Sequence, residues 1–202
     1  MRIYLAYRSP RRREILHQIG IGFDLLASAQ VAGGEEEVDE TPFPGEDPVA
    51  YVERVTRDKA AFGRRIVESR RLPPQPVLAA DTTLAFEGAV IGKPVDRDDA
   101  CRILSRLSGR THLVLTGLAL ADQQRTDYIL STSEVTFRPL SAAEIEAYVD
   151  TGEPMDKAGA YAIQGRAGLF VQHLSGSYTG VMGLPVCELG ELLRRFGINP
   201  LA

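Results

Sequence analysis

The chain has 202 residues, a formal net charge of −4 at pH 7, 44% hydrophobic and 25% charged residues. That balance belongs to a globular protein able to build a sizeable core, and it excludes a disordered tail, a fibre or a low-complexity repeat. No apolar run nears the roughly 20 residues of a membrane helix, the acidic balance argues against general nucleic-acid binding, and two distant cysteines, Cys101 and Cys187, exclude a disulfide framework and a CxxC zinc site. Met1–Ala6 is too short for a secretory apolar segment and runs straight into arginines, so a reducing cytoplasm is the expected setting.

Arg2–Ala6 reads as a short strand. Ser9-Pro10 then opens a helix, with serine as N-cap and proline at the first helical position, where its missing N–H costs nothing. Ile15, Leu16 and Ile19 form its apolar face and Gly20 ends it. Ala32–Asp47 is polar and broken by Pro42, Pro44 and Gly45, as expected for a loop. Asp47-Pro48 repeats the capping signal, and a long helix follows to about Ser69, with Val52, Val55, Lys59, Phe62 and Ile66 on one side. After Pro73, Pro74 and Pro76, Val77–Ala80 has the continuous apolar character of a strand buried on both faces, ending at Asp81.

A second strand, Leu84–Ile91, contains a hairpin-like turn at Glu87-Gly88. Asp96 caps a helix with Ala100, Ile103, Leu104 and Leu107, closed by Gly109. Long strands follow at Thr111–Ala121 and Tyr128–Phe137. Ser141 and Glu144 make a capping box for a helix to Tyr148. The glycine-rich remainder is expected to be strand-like up to Gly183, and a last helix spans Pro185–Phe196. Strands and helices alternate, so the class is α/β, and the long paired strands in the middle make the sheet mixed.

Charge is unevenly placed. Arg2, Arg8, Arg11, Arg12 and Arg13 fall in the first thirteen residues, while Gly34–Glu53 has no basic residue and carries Glu35, Glu36, Glu37, Asp39, Glu40, Glu46 and Asp47. Either run alone fits a solvated helix face or an acidic loop; together they also fit an anion-binding start beside a cation-binding loop. In an open α/β sheet ligands bind beyond the carboxyl ends of strands, and a helix N-terminus there attracts anions. Ser9 would add a hydroxyl, and Arg11 and Arg12 fork-shaped cations suited to phosphate oxygens. Asp81 at a strand tip is either a cap or a general base or metal ligand. Lys93, fixed in the Gly92-Lys93-Pro94 turn, would set a point cation at the same sheet edge. Gln164, between Ile163 and Gly165, is either a solvated strand-end amide or a reader of a base edge, since it both donates and accepts. His17, His112 and His173 show no metal-ligand spacing, and neither a P-loop nor a dinucleotide fingerprint is present.

Six ordered blocks then point one way: Ser9-Pro10-Arg11-Arg12; Ala80-Asp81-Thr82; Gly92-Lys93-Pro94; Leu107-Ser108-Gly109 with His112 and Thr116; Asp156-Lys157-Ala158-Gly159-Ala160-Tyr161 with Ile163-Gln164-Gly165; and Gly176-Ser177-Tyr178 with Gly183-Leu184-Pro185. Over about residues 3–197 they resemble the Maf family of nucleoside triphosphate pyrophosphatases. The resemblance implies one Maf/ITPase-like α/β domain over 1–202, with a mixed twisted sheet, flanking helices and two lobes around a central cleft. It also implies a cytoplasmic enzyme that uses a divalent cation, Mg²⁺ or Mn²⁺, and cleaves a nucleoside triphosphate to monophosphate and pyrophosphate. By position, Asp81 resembles the catalytic acid. Arg11, Thr82 and Gln164 fall where the family sets substrate choice, Lys59 and Lys93 match cleft lysines, and Glu40 matches an acidic position for the metal beside Asp81. Tyr7 stands where the family usually has serine. Ile163-Gln164-Gly165 is the form of the branch that hydrolyses dTTP and UTP; the 7-methyl-GTP branch differs there. A homodimer is a family expectation. Two other readings share the fold: a non-catalytic nucleotide-sensing or cell-division-regulating module, and a house-cleaning enzyme for inosine or xanthosine triphosphates.

Overall fold

The computed structural model describes residues 2–6, 9–26 and 38–201; the expectations placed on Tyr7, Arg8 and Glu35–Glu37 lie outside them. Its centre is one seven-stranded sheet, made of β1 (Ile3–Leu5), β2 (Phe23–Leu25), β3 (Val77–Phe86), β4 (Ala89–Ile91), β5 (Thr111–Ala121), β6 (Thr126–Phe137) and β7 (Val171–Ser175). The order is β2-β1-β3-β5-β6-β7, with β4 also paired to β3. The β1–β2 and β1–β3 pairs are parallel and all others antiparallel, so the sheet is mixed. Among the described residues six α-helices pack on it: α1 (Pro10–Gln18), α2 (Pro48–Ser69), α3 (Arg97–Leu107), α4 (Ala142–Val149), α5 (Tyr178–Met182) and α6 (Val186–Arg195).

The helices begin where capping chemistry says they should. Ser9 Oγ accepts from the Arg12 amide, Asp47 Oδ1 from the Val49 and Ala50 amides, and Asp96 Oδ1 from the Asp99 amide. The Ser141–Glu144 box is complete. Each cap satisfies a donor that the first turn would otherwise leave open. Ile19, expected on the apolar face of α1, is instead 37% exposed as that helix's C-cap.

Two expectations are corrected and one strand is new. β3 does not end at Asp81 but runs on to Phe86, with Asp81 paired to Gly117 of β5. Residues 153–170, expected to be strand-like, form short 3₁₀ turns instead, and only Val171–Ser175 pairs into the sheet. The short strand β2 had no signal in the pattern; it exists through its pairing with β1.

Two apolar regions follow each other along β3 and β5. Near one end, Leu78, Ala80, Leu118 and Leu120 pack with α1 and α6 on one face, while Val77, Ala79, Ala119 and Ala121 pack with the C-terminal half of α2 on the other. Near the other end, Leu84, Phe86 and Val114 pack with α3 and α4, and Ala85 and Leu115 with the N-terminal half of α2. Between the two lie Asp81, Thr82, Thr83 and Thr116. The outer edge of β3 is also interrupted there. β1 pairs with it only at Val77 and Leu78 and β4 only at Leu84–Phe86, so no described strand covers that edge between them. The sheet has a notch at the point where its two apolar regions meet. No helix of the described residues is long and apolar enough to cross a membrane.

Candidate active site

The notch opens into a cavity of about 360 Å³, within the size range of small-molecule sites. α1 delivers Ser9, Arg11 and Arg12 to it, β3 delivers Asp81 and Thr82, the turn after β4 delivers Lys93, and α2 with the segment before it delivers Lys59 and Glu40. These eight sequence-singled residues therefore share one cavity. Gln164 does not line it: the residue is exposed, next to Ala162 and Ile163, which do. Arg13 is exposed, one step outside the lining. Asp156, Lys157 and Tyr161, which belong to one of the six sequence blocks but carry no expected role there, also line the cavity. The signal for Lys157 was a lysine directly before the glycine-rich segment, but local pattern gave it no direction.

β-strand alternation assigns the faces. Asp81 and the odd residues of β3 look toward α2; Thr82 and the even residues look toward α1 and α5. On the α2 side, Lys59 Nζ lies 2.7 Å from Asp81 Oδ1 and 2.8 Å from Glu40 Oε1. Lys59 is 5% and Asp81 6% exposed, so each charge is out of water and matched by its partner. Lys59 reaches this point because it sits on the buried stripe of α2 with Val52, Val55, Phe62 and Ile66, between that helix's two apolar patches. The helix can lie close because Gly63 and Gly117 have no side chain. A Cβ on Gly63 would stand 2.7 Å from Val77 Cγ1, and one on Gly117 would collide with Thr56 Oγ1. The Tyr51 hydroxyl donates to the Glu40 carbonyl oxygen at 2.9 Å, tying the loop to α2. Burial first, then the charges of Asp81 and Glu40, push that phenol up to about 12.

On the other side, Arg12 Nε donates to the Gly183 carbonyl at 2.9 Å and Nη2 to Thr82 Oγ1 at 3.4 Å. Thr116 Oγ1 lies 3.0 Å from Thr82 Oγ1 and 2.8 Å from the Gly180 carbonyl oxygen. Thr116 Oγ1 is the donor toward both, so its one proton is shared between the Gly180 carbonyl and Thr82 Oγ1. Burial draws the Arg12 guanidinium below its ordinary pKa, against the opposing charge of Asp81; it remains a cation, as arginine does in proteins. Arg12 is thus fixed by backbone and hydroxyls and keeps its charge for a ligand.

Among the described residues the cavity is lined by five cations (Arg11, Arg12, Lys59, Lys93 and Lys157) against three carboxylates, Glu40, Asp81 and Asp156. That surplus suits a polyanion. Asp81 and Glu40 offer oxygen donors only, and no histidine or cysteine lines the cavity, so the donor set fits a hard divalent cation. Among the described residues no group of three or more His, Cys, Asp or Glu is placed to hold a metal.

A mixed sheet notched at its edge, a capped helix start and a cation-rich cavity around a buried carboxylate define an α/β protein with an anion-binding cleft. The chain belongs to the Maf family: the family model described as "Maf-like protein" matches residues 2–196. It is 66% identical over 201 residues to a protein of Dechloromonas aromatica, covering all of both chains, and 52% identical over 198 residues to one of Chromobacterium violaceum, covering 98% of this chain and 96% of the other. Both relatives are named dTTP/UTP pyrophosphatase. Among solved structures, the Staphylococcus aureus Ham1 protein superposes with a TM-score of 0.53 over 96% of this chain and 99% of its own, at 13% identity, which shows a shared fold.

Proposed function

We propose that the protein hydrolyses dTTP and UTP to the nucleoside monophosphate and pyrophosphate. The observation that carries this reading is Asp81, held by Lys59 on the floor of a cleft with surplus positive charge, in a chain 66% identical to a named dTTP/UTP pyrophosphatase. Water attacks the α-phosphorus and pyrophosphate leaves. Asp81 Oδ1 is engaged by Lys59, which leaves Oδ2 to take the proton of the attacking water. Arg11, Arg12, Lys93 and Lys157, with the amides at the start of α1, neutralise the triphosphate; positioning and charge neutralisation carry most of phosphoryl-transfer catalysis. In the alternative use of Oδ2, Asp81 with Glu40 would hold a divalent cation, Mg²⁺ or Mn²⁺, which when bound neutralises phosphate charge and lowers the pKa of water. A cytoplasmic setting, in which the unpaired Cys101 and Cys187 stay reduced, belongs to this reading.

Thymine and uracil show two carbonyl acceptors around one N3–H. A carboxamide can donate to a carbonyl and accept from N3–H at once, which a carboxylate cannot. Gln164, in the turn whose neighbours Ala162 and Ile163 form the cleft wall, is in this reading the residue that meets that edge at the cleft mouth. The test is pyrophosphate release by purified protein with Mg²⁺ across dTTP, UTP, CTP, ATP and GTP, for wild type and Gln164→Glu. Hydrolysis of dTTP and UTP above the others, reduced in the variant, is expected. No pyrophosphate from any nucleotide overturns the enzyme reading in favour of a binding module. A purine preference, or an unchanged base ranking in the variant, overturns the role of Gln164.

A further inference from the structure

We infer that Glu153 is a positioning residue for the base side of the cleft, holding the turn Ala162–Gly165 through its carboxylate and Lys157 through its backbone, and so setting which base the cleft accepts. This rests on the proposed pyrophosphatase reading and adds a residue to it. The Gly165 amide donates to the Ala162 carbonyl at 3.0 Å, closing a four-residue turn with Ile163 and Gln164 in its middle. Ala162 and Ile163 face the cavity. Behind the turn, Glu153 Oε2 accepts from the Arg166 amide at 3.1 Å, and Oε1 accepts from the Tyr148 hydroxyl at 3.0 Å. The fit is tight: a Cβ on Gly165 would stand 2.6 Å from Glu153 Cδ and 2.7 Å from Oε2. The absence of a side chain at 165 is what lets the carboxylate sit against the turn.

The other end of this contact is anchored. The Tyr148 ring is buried in the apolar region beside α4, edge-on to Phe170 at 5.1 Å. Burial, with the neighbouring Glu153, raises its phenol pKa, so it stays a donor at neutral pH. On the cleft side, Lys157 Nζ donates to the Glu153 carbonyl at 2.8 Å. One residue therefore joins the core, the base-side turn and a cleft cation. The Arg138–Glu144 ion pair nearby, at 2.7 Å, is a useful contrast: it fastens α4 but touches no residue of the cavity.

Glu153→Gln keeps the size and an acceptor for Tyr148 but sets an NH₂ group against the Arg166 N–H. Misplacing a positioning group by about 1 Å can cost on the order of 100-fold; a loosened turn should cost less. Steady-state kinetics on dTTP and CTP, with thermal midpoints, would be measured for wild type, Glu153→Gln and the milder Tyr148→Phe. The expected result for Glu153→Gln is a KM for dTTP raised on the order of tenfold, kcat within about threefold, and a fall in the dTTP:CTP ratio of kcat/KM. Tyr148→Phe should move KM and that ratio in the same direction by less. Unchanged KM and ratio in Glu153→Gln overturn the inference. So does a loss of kcat and thermal midpoint with KM intact, which would mark structural support alone. The wild-type base ranking tests the proposed function separately. If wild type prefers another nucleotide, the inference still requires Glu153→Gln to raise KM for that one.

Discussion

The two walls of the cleft are built by different means. One comes from β3, α1 and α2, where Asp81, Lys59 and Arg12 are carried by regular elements whose backbones are fixed by ladders and helical turns. The other, residues 153–170, is a series of 3₁₀ turns seated on the apolar cluster by Ala160, Tyr161, Ile163, Ala167 and Phe170 and tied by isolated side-chain contacts such as Glu153–Arg166 and His112–Tyr161. A charge placed by a strand and a helix is positioned by many cooperating bonds. A turn placed by one carboxylate is positioned by that carboxylate. The wall proposed to take the phosphates should therefore answer to removal of charge, and the wall proposed to meet the base to removal of individual hydrogen bonds.

The largest effect expected on the first wall is that of Asp81→Asn. Turnover should fall by roughly 100-fold or more, as for a lost general base. Removing one partner of a buried ion pair costs about 3–5 kcal/mol, but Asn can still accept from Lys59 and Glu40 remains beside it, so the loss should be smaller and the variant folded. Activity assays beside a denaturant titration check both; near-normal turnover would remove Asp81 from the chemistry. Next comes Arg11→Ala, where loss of a charge-assisted hydrogen bond of about 1.5–3 kcal/mol predicts a ten- to hundredfold fall in kcat/KM. Arg13→Ala, outside the lining, should change little. Equal effects at both positions would mean that the arginine run acts through its general field and that the wall has no fixed geometry.

The last effect is on stability alone, concerns acid and sharpens the view of the second wall. His112 is 2% exposed; its Nε2 lies 2.8 Å from the Tyr161 hydroxyl and its Nδ1 has no partner. Burial lowers its pKa from 6.5 to about 4. The native state thus refuses a proton that the unfolded chain takes up below pH 6.5. Stability is full above that value and falls as pH drops toward 4, by about 3 kcal/mol at most. Urea midpoints at pH 7 and pH 4.5 read this. His112→Gln should start lower at pH 7 and decline less; the same slope in both proteins would place the proton uptake elsewhere.

Much of the first wall was legible because its signals are local. Ser9-Pro10 and Asp47-Pro48 are caps whose side chains do bond the following amides. Lys59 stood on the apolar stripe of α2, an odd place for a charge unless a partner waits there. The partner is Asp81, 22 residues away, and that distance is why β3 was expected to stop too early. An aspartate in mid-strand looks like a terminus until the lysine that neutralises it is in view. The second wall was less legible for a physical reason. Glycines and alanines at 158–160, 165, 167 and 168 carry no periodicity, and the path of the chain there is fixed by Glu153, Tyr148 and His112 from other elements. Gln164 could be singled out by type and by resemblance, but its place on an exposed turn could not be read from its neighbours.

The length of the central strands has a consequence for how the molecule comes apart. β3, β5 and β6, of 10, 11 and 12 residues, extend on both sides of the notch, and β5 alone spans about 37 Å at roughly 3.4 Å per residue. Each apolar region is packed on a different stretch of the same ladders. Neither half can melt without stripping strands that the other half still needs, so the two unfold in one cooperative transition. Amides of Leu78 and Val114, on opposite sides of the cleft, should exchange with solvent at a common free energy. A ligand bound in the notch then protects both halves at once, although it touches only the seam between them.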